Sequence, residues 1–263
     1  MRRRISTSYG KIGASFSGMR YFSLSSKSAA SENPLVDTFG RFHNYLRISL
    51  TEKCNFRCVY CMPLDGVNLT AADKILTTDE TKRIISVFAS LGVNKIRFTG
   101  GEPTINKDLA SLIHHARSIP TVKSIGITTN GLLLKSQLDR LCEAGLTHVN
   151  ISMDTLDADK FASIVRRDRK SFTKVMSSVY AALSRQLHVK VNCVVMRGMN
   201  DKEVGAFAEL TRELPLDIRF IELMPFDDNN WDATKLVPYF EILDTLRQQV
   251  GGHGGGGGDG TAL

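Results

Sequence analysis

Apolar runs of strand length alternate with amphipathic stretches along most of the chain. The runs fall at 45–50, 95–99, 124–128, 148–152, 190–195 and 218–223. Most are rich in Ile and Val or nearly continuous in apolar residues, as strands covered on both faces are. Helical periodicity predicts helices at about 78–91, 107–117, 134–144, 171–187, 201–213 and 236–250. Thr77-Thr78-Asp79-Glu80 has the hydroxyl cap and early acids of a helix start, and Gly92 and Gly145 stand where helices would stop. Six βα units in succession imply a parallel sheet with helices outside. Crossovers of one hand curl such a sheet toward a barrel. Residues 32–250 fall short of the roughly 250 a complete eight-unit barrel takes, so the expected fold is α/β, a partial (β/α)6 TIM-like barrel.

Chemistry in such a fold belongs at the carboxyl ends of the strands. Cys54, Cys58 and Cys61 follow the first strand, and Gly100-Gly101-Glu102-Pro103 follows the second. Thr128-Thr129-Asn130-Gly131, Ser152-Met153-Asp154 and Glu222-Leu223-Met224-Pro225 end the third, fourth and sixth. Packing alone does not ask for polar or glycine-rich residues at five strand ends.

Composition changes the picture at the two termini. The 263 residues are 42% hydrophobic and 23% charged, values that exclude wholesale disorder. No apolar run reaches the 18 residues of a membrane-spanning helix. The net charge of +7 would hint at nucleic acid, but six cations precede the first acid, Glu32. Without them 28 Lys+Arg face 27 Asp+Glu, and a nearly neutral body offers no basic face for nucleic acid. The leading stretch also holds nine serines. Arg-rich, Ser-rich and acid-free, it reads as a transit peptide over residues 1–31, and Arg20-Tyr21-Phe22-Ser23 resembles a mitochondrial processing site. The expected location is the mitochondrial matrix, with a plastid as the lesser alternative. Residues 251–263 open with eight glycines in ten positions, the composition of a disordered tail. Residues 39–250 form the expected core domain.

Cys54-x-x-x-Cys58-x-x-Cys61 places three thiols where one loop can wrap a metal centre. Structural zinc wants four ligands, and no second Cys or His pair stands at the usual spacing. An electron-transfer cluster takes four cysteines; the spares, Cys142 and Cys193, lie in a helix and a strand pattern and read as core residues. The third reading is a 4Fe–4S cluster on three cysteines with one iron open to a ligand.

That spacing after the first strand, with Tyr60 before the last cysteine and Gly100–Pro103 after the second strand, resembles the radical S-adenosylmethionine (SAM) superfamily. The strings around Arg47–Cys54, Cys61-Met62-Pro63, Arg97–Thr104, Thr128–Gly131, Lys190–Asn192 and Phe220–Pro225 resemble the GTP 3′,8-cyclase family, which performs the first step of molybdenum cofactor biosynthesis. The resemblance runs from about Phe39 to Val250. It implies a cluster on Cys54, Cys58 and Cys61, SAM against Tyr60, Gly101, Ser152 and Met224, and GTP against Arg47, Arg97, Thr128 and Lys190. Paired glycines would let backbone approach the SAM ammonium, with the charge of Glu102 nearby. A 5′-deoxyadenosyl radical would take the ribose 3′ hydrogen, and the carbon radical would close on guanine carbon 8. Implied partners are an electron donor and the downstream cyclic pyranopterin monophosphate synthase.

Family members carry a second 4Fe–4S cluster on a C-terminal cysteine motif, yet no cysteine follows Cys193. The expectation is therefore a C-terminally truncated member holding one cluster, with its cyclase activity impaired. A different one-cluster radical SAM enzyme and a non-catalytic or regulatory isoform are the alternatives.

Overall fold

In the computed structural model, which describes residues 33–225 and 232–250, all six apolar runs are strands of one parallel sheet. They are β1 (Tyr45–Ser49), β2 (Lys95–Thr99), β3 (Ser124–Thr129), β4 (His148–Ser152), β5 (His188–Val195) and β6 (Leu216–Glu222). Each strand pairs in parallel with its chain neighbours, so spatial order equals sequence order. The helices are α1 (Thr78–Ser90), α2 (Leu109–Ser118), α3 (Leu134–Ala144), α4 (Ala158–Val165), α5 (Lys170–Ser184), α6 (Val204–Glu213) and α7 (Tyr239–Val250). The result is the six-unit partial barrel the pattern predicts. The transit-peptide and glycine-tail expectations lie outside the described residues.

Side-chain alternation splits each strand between two environments. Ile48, Ile96, Phe98, Ile125, Ile127, Val149, Ile151, Val189 and Val191 are buried in the layer shared with the helices. The intervening residues face the lumen and are mostly polar or charged, Gly126, Val194 and Ile221 being exceptions. Register aligns them in layers: Arg47, Arg97, Gly126, His148 and His188 in one, Thr128, Asn150, Lys190 and Asp217 in the next, Ser152, Asn192 and Arg219 above.

Local signals explain the helix ends. Thr77 and Glu80 form a reciprocal capping box at α1, and Gly145 closes α3 at φ +110°. The helix expected from residue 107 starts at Leu109, because Asn106 Oδ1 accepts from the amide of Asp108 and turns the chain first. The helix expected from 236 starts at Tyr239, after a 3-10 turn and Pro238. Helix α4 has no counterpart in the sequence reading. It spans eight residues, too few for periodicity to stand out. Asp157 caps it, accepting from Asp159 and Lys160 amides, and Phe161, Ile164 and Val165 are its buried face. Phe161 packs edge-on against Phe56, centroids 5.9 Å apart, so α4 supports the cysteine loop.

Candidate functional site

The cysteine loop leaves β1 and rests on α4 and the turn that follows it. Amides of Arg57 and Val59 donate to the carbonyls of Val165 and Ile164 at 3.1 and 2.9 Å. Arg57 Nη1 donates to the Cys54 carbonyl at 2.8 Å, and Arg167 Nε to that of Asn55 at 2.6 Å. Cys54 and Cys58 are half-buried and Cys61 is exposed. Burial pushes all three thiols above the ordinary range, Cys58 well above it; Glu102 adds to the rise at Cys54, and Asp154 and neighbouring thiols add to it at Cys58 and Cys61. A cationic centre reverses that balance by stabilising thiolates. Among the described residues no three His, Cys, Asp or Glu side chains converge on a single ion. The donor set, three soft thiolates on one loop, suits an iron–sulfur group.

Tyr60, between the last two cysteines, donates its hydroxyl to Asp154 Oδ2 at 2.8 Å. Asp154 follows β4 and is buried; its other oxygen accepts from the Val194 amide at 2.8 Å. Burial raises its carboxyl to about 6, with the two hydrogen bonds opposing the rise. One acid thus ties the cysteine loop to the ends of β4 and β5.

The Gly100-Gly101-Glu102 segment packs against the start of the same loop. Gly101 donates to the Thr51 carbonyl at 2.6 Å and Glu102 to that of Lys53 at 2.8 Å. Gly100 sits at φ +135°, and a Cβ there would meet the Thr51 backbone; a Cβ on Gly101 would meet the carbonyls of Lys53 and Glu52. The paired glycines are therefore required by backbone against backbone within the chain itself. Glu102 is turned fully inward, its carboxyl enclosed by the turn after β2. Its Oε1 accepts from Thr104 N, Thr104 Oγ1 and Thr129 Oγ1, and its Oε2 from Asn130 N. Asn130 in turn donates to Asn55 Oδ1 at 2.6 Å and reaches Cys54 Sγ at 3.8 Å.

Inside the strands lies a cavity of about 730 Å³, lined by Arg47, Arg97, Thr128, Asn150, Asn192, Arg219 and Met224 among others. Arg47 donates to Thr99 Oγ1 and Arg97 to the Ile127 carbonyl, each at 3.3 Å. Gly126 makes room for the Arg97 guanidinium, 3.3 Å from where a Cβ would be. The side-chain oxygens of Asn150 and Asn192 are buried with no hydrogen-bond partner among the described residues.

At the amino ends of the strands His148 and His188 stack with centroids 4.5 Å apart, beside the Lys190–Asp217 ion pair. Burial first, then His188, Arg97, Lys190 and Lys95, lowers His148 from 6.5 to about 4. The folded state thus binds this proton less tightly than the unfolded chain does. The stability His148 contributes is complete above pH 6.5 and is lost as pH falls toward 4. Screening at this partly open site leaves about 1–2 kcal/mol. Chemical-denaturation midpoints from pH 7.5 to 5 should fall less steeply for His148→Gln than for the parent chain; equal slopes would exclude His148 as their source.

Of the expected site residues, Cys54, Cys58, Cys61 and Tyr60 share the cysteine loop, Gly101 abuts it, and Ser152 stands beside Asn192 in register. Arg47, Arg97, Thr128 and Met224 line the large cavity. Lys190 is set apart from that lining; it faces a smaller cavity with His148, His188 and Asp217. Cys142 is half-buried and Cys193 buried. Sequence reasoning missed Arg219 and Asn150, and it gave no role of their own to Asp154 and Asn192, which lie in strings it singled out. The period-2 pattern Asp217-Ile218-Arg219 within β6 was the signal for Arg219.

Strand-end chemistry on a partial barrel, with a three-thiol loop after β1, defines a radical SAM protein, and the Radical SAM superfamily model matches residues 48–211. Among solved structures, Streptococcus suis SuiB bound to S-adenosylmethionine has the same fold (TM-score 0.61, 19% identity, 80% of this chain and 47% of that one). Within the superfamily the chain belongs to the GTP 3′,8-cyclase family. It is 45% identical over 219 residues to the GTP 3′,8-cyclase of Pelotomaculum thermopropionicum, covering 82% of this chain and 67% of that protein. It is 52% identical over 213 residues to the mitochondrial GTP 3′,8-cyclase of Arabidopsis thaliana, covering 81% of this chain and 54% of that protein. The chain spans as little as 34% of the length of other curated relatives it matches, such as the molybdenum cofactor biosynthesis protein 1 of Dictyostelium discoideum.

Proposed function

We propose that this chain is a mitochondrial radical SAM protein whose core, residues 39–250, binds one 4Fe–4S cluster, SAM and GTP for the 3′,8-cyclisation of GTP. The lumen carries this reading: three guanidiniums, from Arg47, Arg97 and Arg219, face one cavity that also holds two orphaned amide oxygens. Cations at such density suit a triphosphate, which guanidiniums grip with paired donors. Orphaned acceptors ask for donors, which a guanine edge or ribose hydroxyls supply. A nucleoside triphosphate has both.

Cys54, Cys58 and Cys61 would hold the cluster, which when bound supplies one electron to the SAM sulfonium. The chain's own residues do the rest by placement. The Tyr60–Asp154 bond fixes the loop between Cys58 and Cys61. Gly101 sets the depth of the loop, while Ser152 and Met224 border SAM from the ends of β4 and β6. Arg47, Arg97 and Thr128 orient GTP below it, and Lys190 supplies positive charge from the floor. Holding two substrates close and dry is the protein's share of such catalysis. A matrix location, an electron donor and a downstream cyclic pyranopterin monophosphate synthase complete the proposal.

Anaerobic reconstitution tests it. The chain should bind about four iron atoms, as one 4Fe–4S cluster on three cysteines requires, and GTP should raise its melting temperature more than ATP does. About eight iron atoms per chain, or no preference for GTP, would overturn this reading. SAM cleavage without the cyclised nucleotide would assign the chain SAM chemistry alone.

A further inference from the structure

A basic rim flanks the cysteine loop where α4 gives way to α5. Arg166, Arg167, Arg169 and Lys170 follow one another there, interrupted by Asp168, and all are exposed. The rim continues onto a groove of about 570 Å³ that Leu132, Leu133, Lys135, Ser136, Thr173 and Lys174 help to line. Six exposed cations thus face two acids, Asp168 and Asp159, and Asp159 is already engaged with Arg169 at 3.3 Å. The chain beyond residue 31 is close to neutral as a whole, so this concentration is local.

The rim also adjoins the candidate cluster ligands. Arg167 donates to the Asn55 carbonyl, one residue after Cys54. From the groove side, the Leu132 amide donates to Asn130 Oδ1 at 3.0 Å, and Asn130 touches Cys54 Sγ. Each route from the surface to Cys54 is therefore two or three residues long.

We infer that this rim is the docking surface of an acidic electron-carrier protein. The inference rests on the radical SAM function proposed above. The transfer it serves moves one electron: the carrier's centre is oxidised by one unit, the thiolate-held group is reduced by one, and no bond or proton is exchanged. A cationic rim steers an acidic partner into register and speeds encounter, an effect that weakens with salt. Leu132 and Leu133 offer that partner an apolar centre inside the charged border, the usual layout of a specific interface.

The test uses the full reconstituted chain with two acidic probes, a flavodoxin and a plant-type ferredoxin. The triple variant Lys135→Glu, Lys170→Glu, Lys174→Glu reverses charges that make no contact with the cysteine loop. A matched control, Arg83→Glu, Lys123→Glu, Lys202→Glu, changes net charge equally elsewhere. The rim variant should bind at least one probe about 10–100-fold more weakly at low salt and lose its salt dependence. The control should change little, and dithionite-driven SAM cleavage should be the same in all three proteins. Equal weakening in both variants, unchanged binding in the rim variant, or tighter rim-dependent binding of a DNA duplex than of either probe would overturn the inference. Failure of dithionite to drive SAM cleavage in the parent chain would overturn the proposed function instead, whatever the binding data show.

Discussion

Replacing Glu102 by alanine should cost about 3–5 kcal/mol of folding stability, because four donors converge on one fully buried carboxyl group. The substitution strands two amides and two hydroxyls where water does not reach them. Each unmet group costs about 1–3 kcal/mol, and partial relaxation of the turn after β2 keeps the total below the sum. Glu102→Gln should recover about half, since its amide nitrogen still opposes a donor. Urea unfolding of the apo chain measures both. An alanine variant within about 1 kcal/mol of the parent would show that the carboxyl does not hold the strand ends together. The Ala variant should also lose affinity for iron, because Asn130 would no longer be held against Asn55 and Cys54.

Gly101→Ala should damage the cysteine loop more than it damages the barrel. The added methyl would press on the carbonyls of Glu52 and Lys53, which belong to backbone with no flexible end to swing away. The Thr51–Lys53 segment must move, and the hydrogen bonds to Thr51 and Lys53 lengthen with it. Overpacking of this kind costs about 1–3 kcal/mol. Iron bound after reconstitution should drop to less than half that of the parent, while the far-ultraviolet circular dichroism stays the same. Full iron retention would place the tolerance of the loop well above what its contacts imply. Gly100→Ala adds a second penalty, since its φ of +135° disfavours any side chain.

Strand positions were legible in the sequence because parallel strands buried on both faces are dense in Ile and Val. Their far ends were not. β6 begins at Leu216, two residues earlier than the apolar run suggested, because Asp217 reads as a break until its pairing with Lys190 is known. Helix α4 escaped because its apolar face is three residues long. The three-cysteine loop was legible from spacing, and Arg47 and Arg97 were singled out by the family resemblance. Asn150 and Asn192 were not, since an asparagine inside an apolar run carries no sign of which face it takes. The inward turn of Glu102 was likewise invisible: a residue-type argument sees a charge, and only the packed turn shows where its oxygens go.

Because spatial and chain order coincide in the sheet, each strand can add to a neighbour already made when the chain folds from its amino end. The thiols of Cys54, Cys58 and Cys61 belong to the first strand's loop, whereas the glycine seat at Gly100-Gly101 and the Asn130 contact come from the second and third. A chain that has formed only its first strand therefore presents three cysteines before it can frame them, and the fourth strand must follow before Asp154 can take the Tyr60 hydroxyl. Until four strands are in place the three thiols stand open to oxidation.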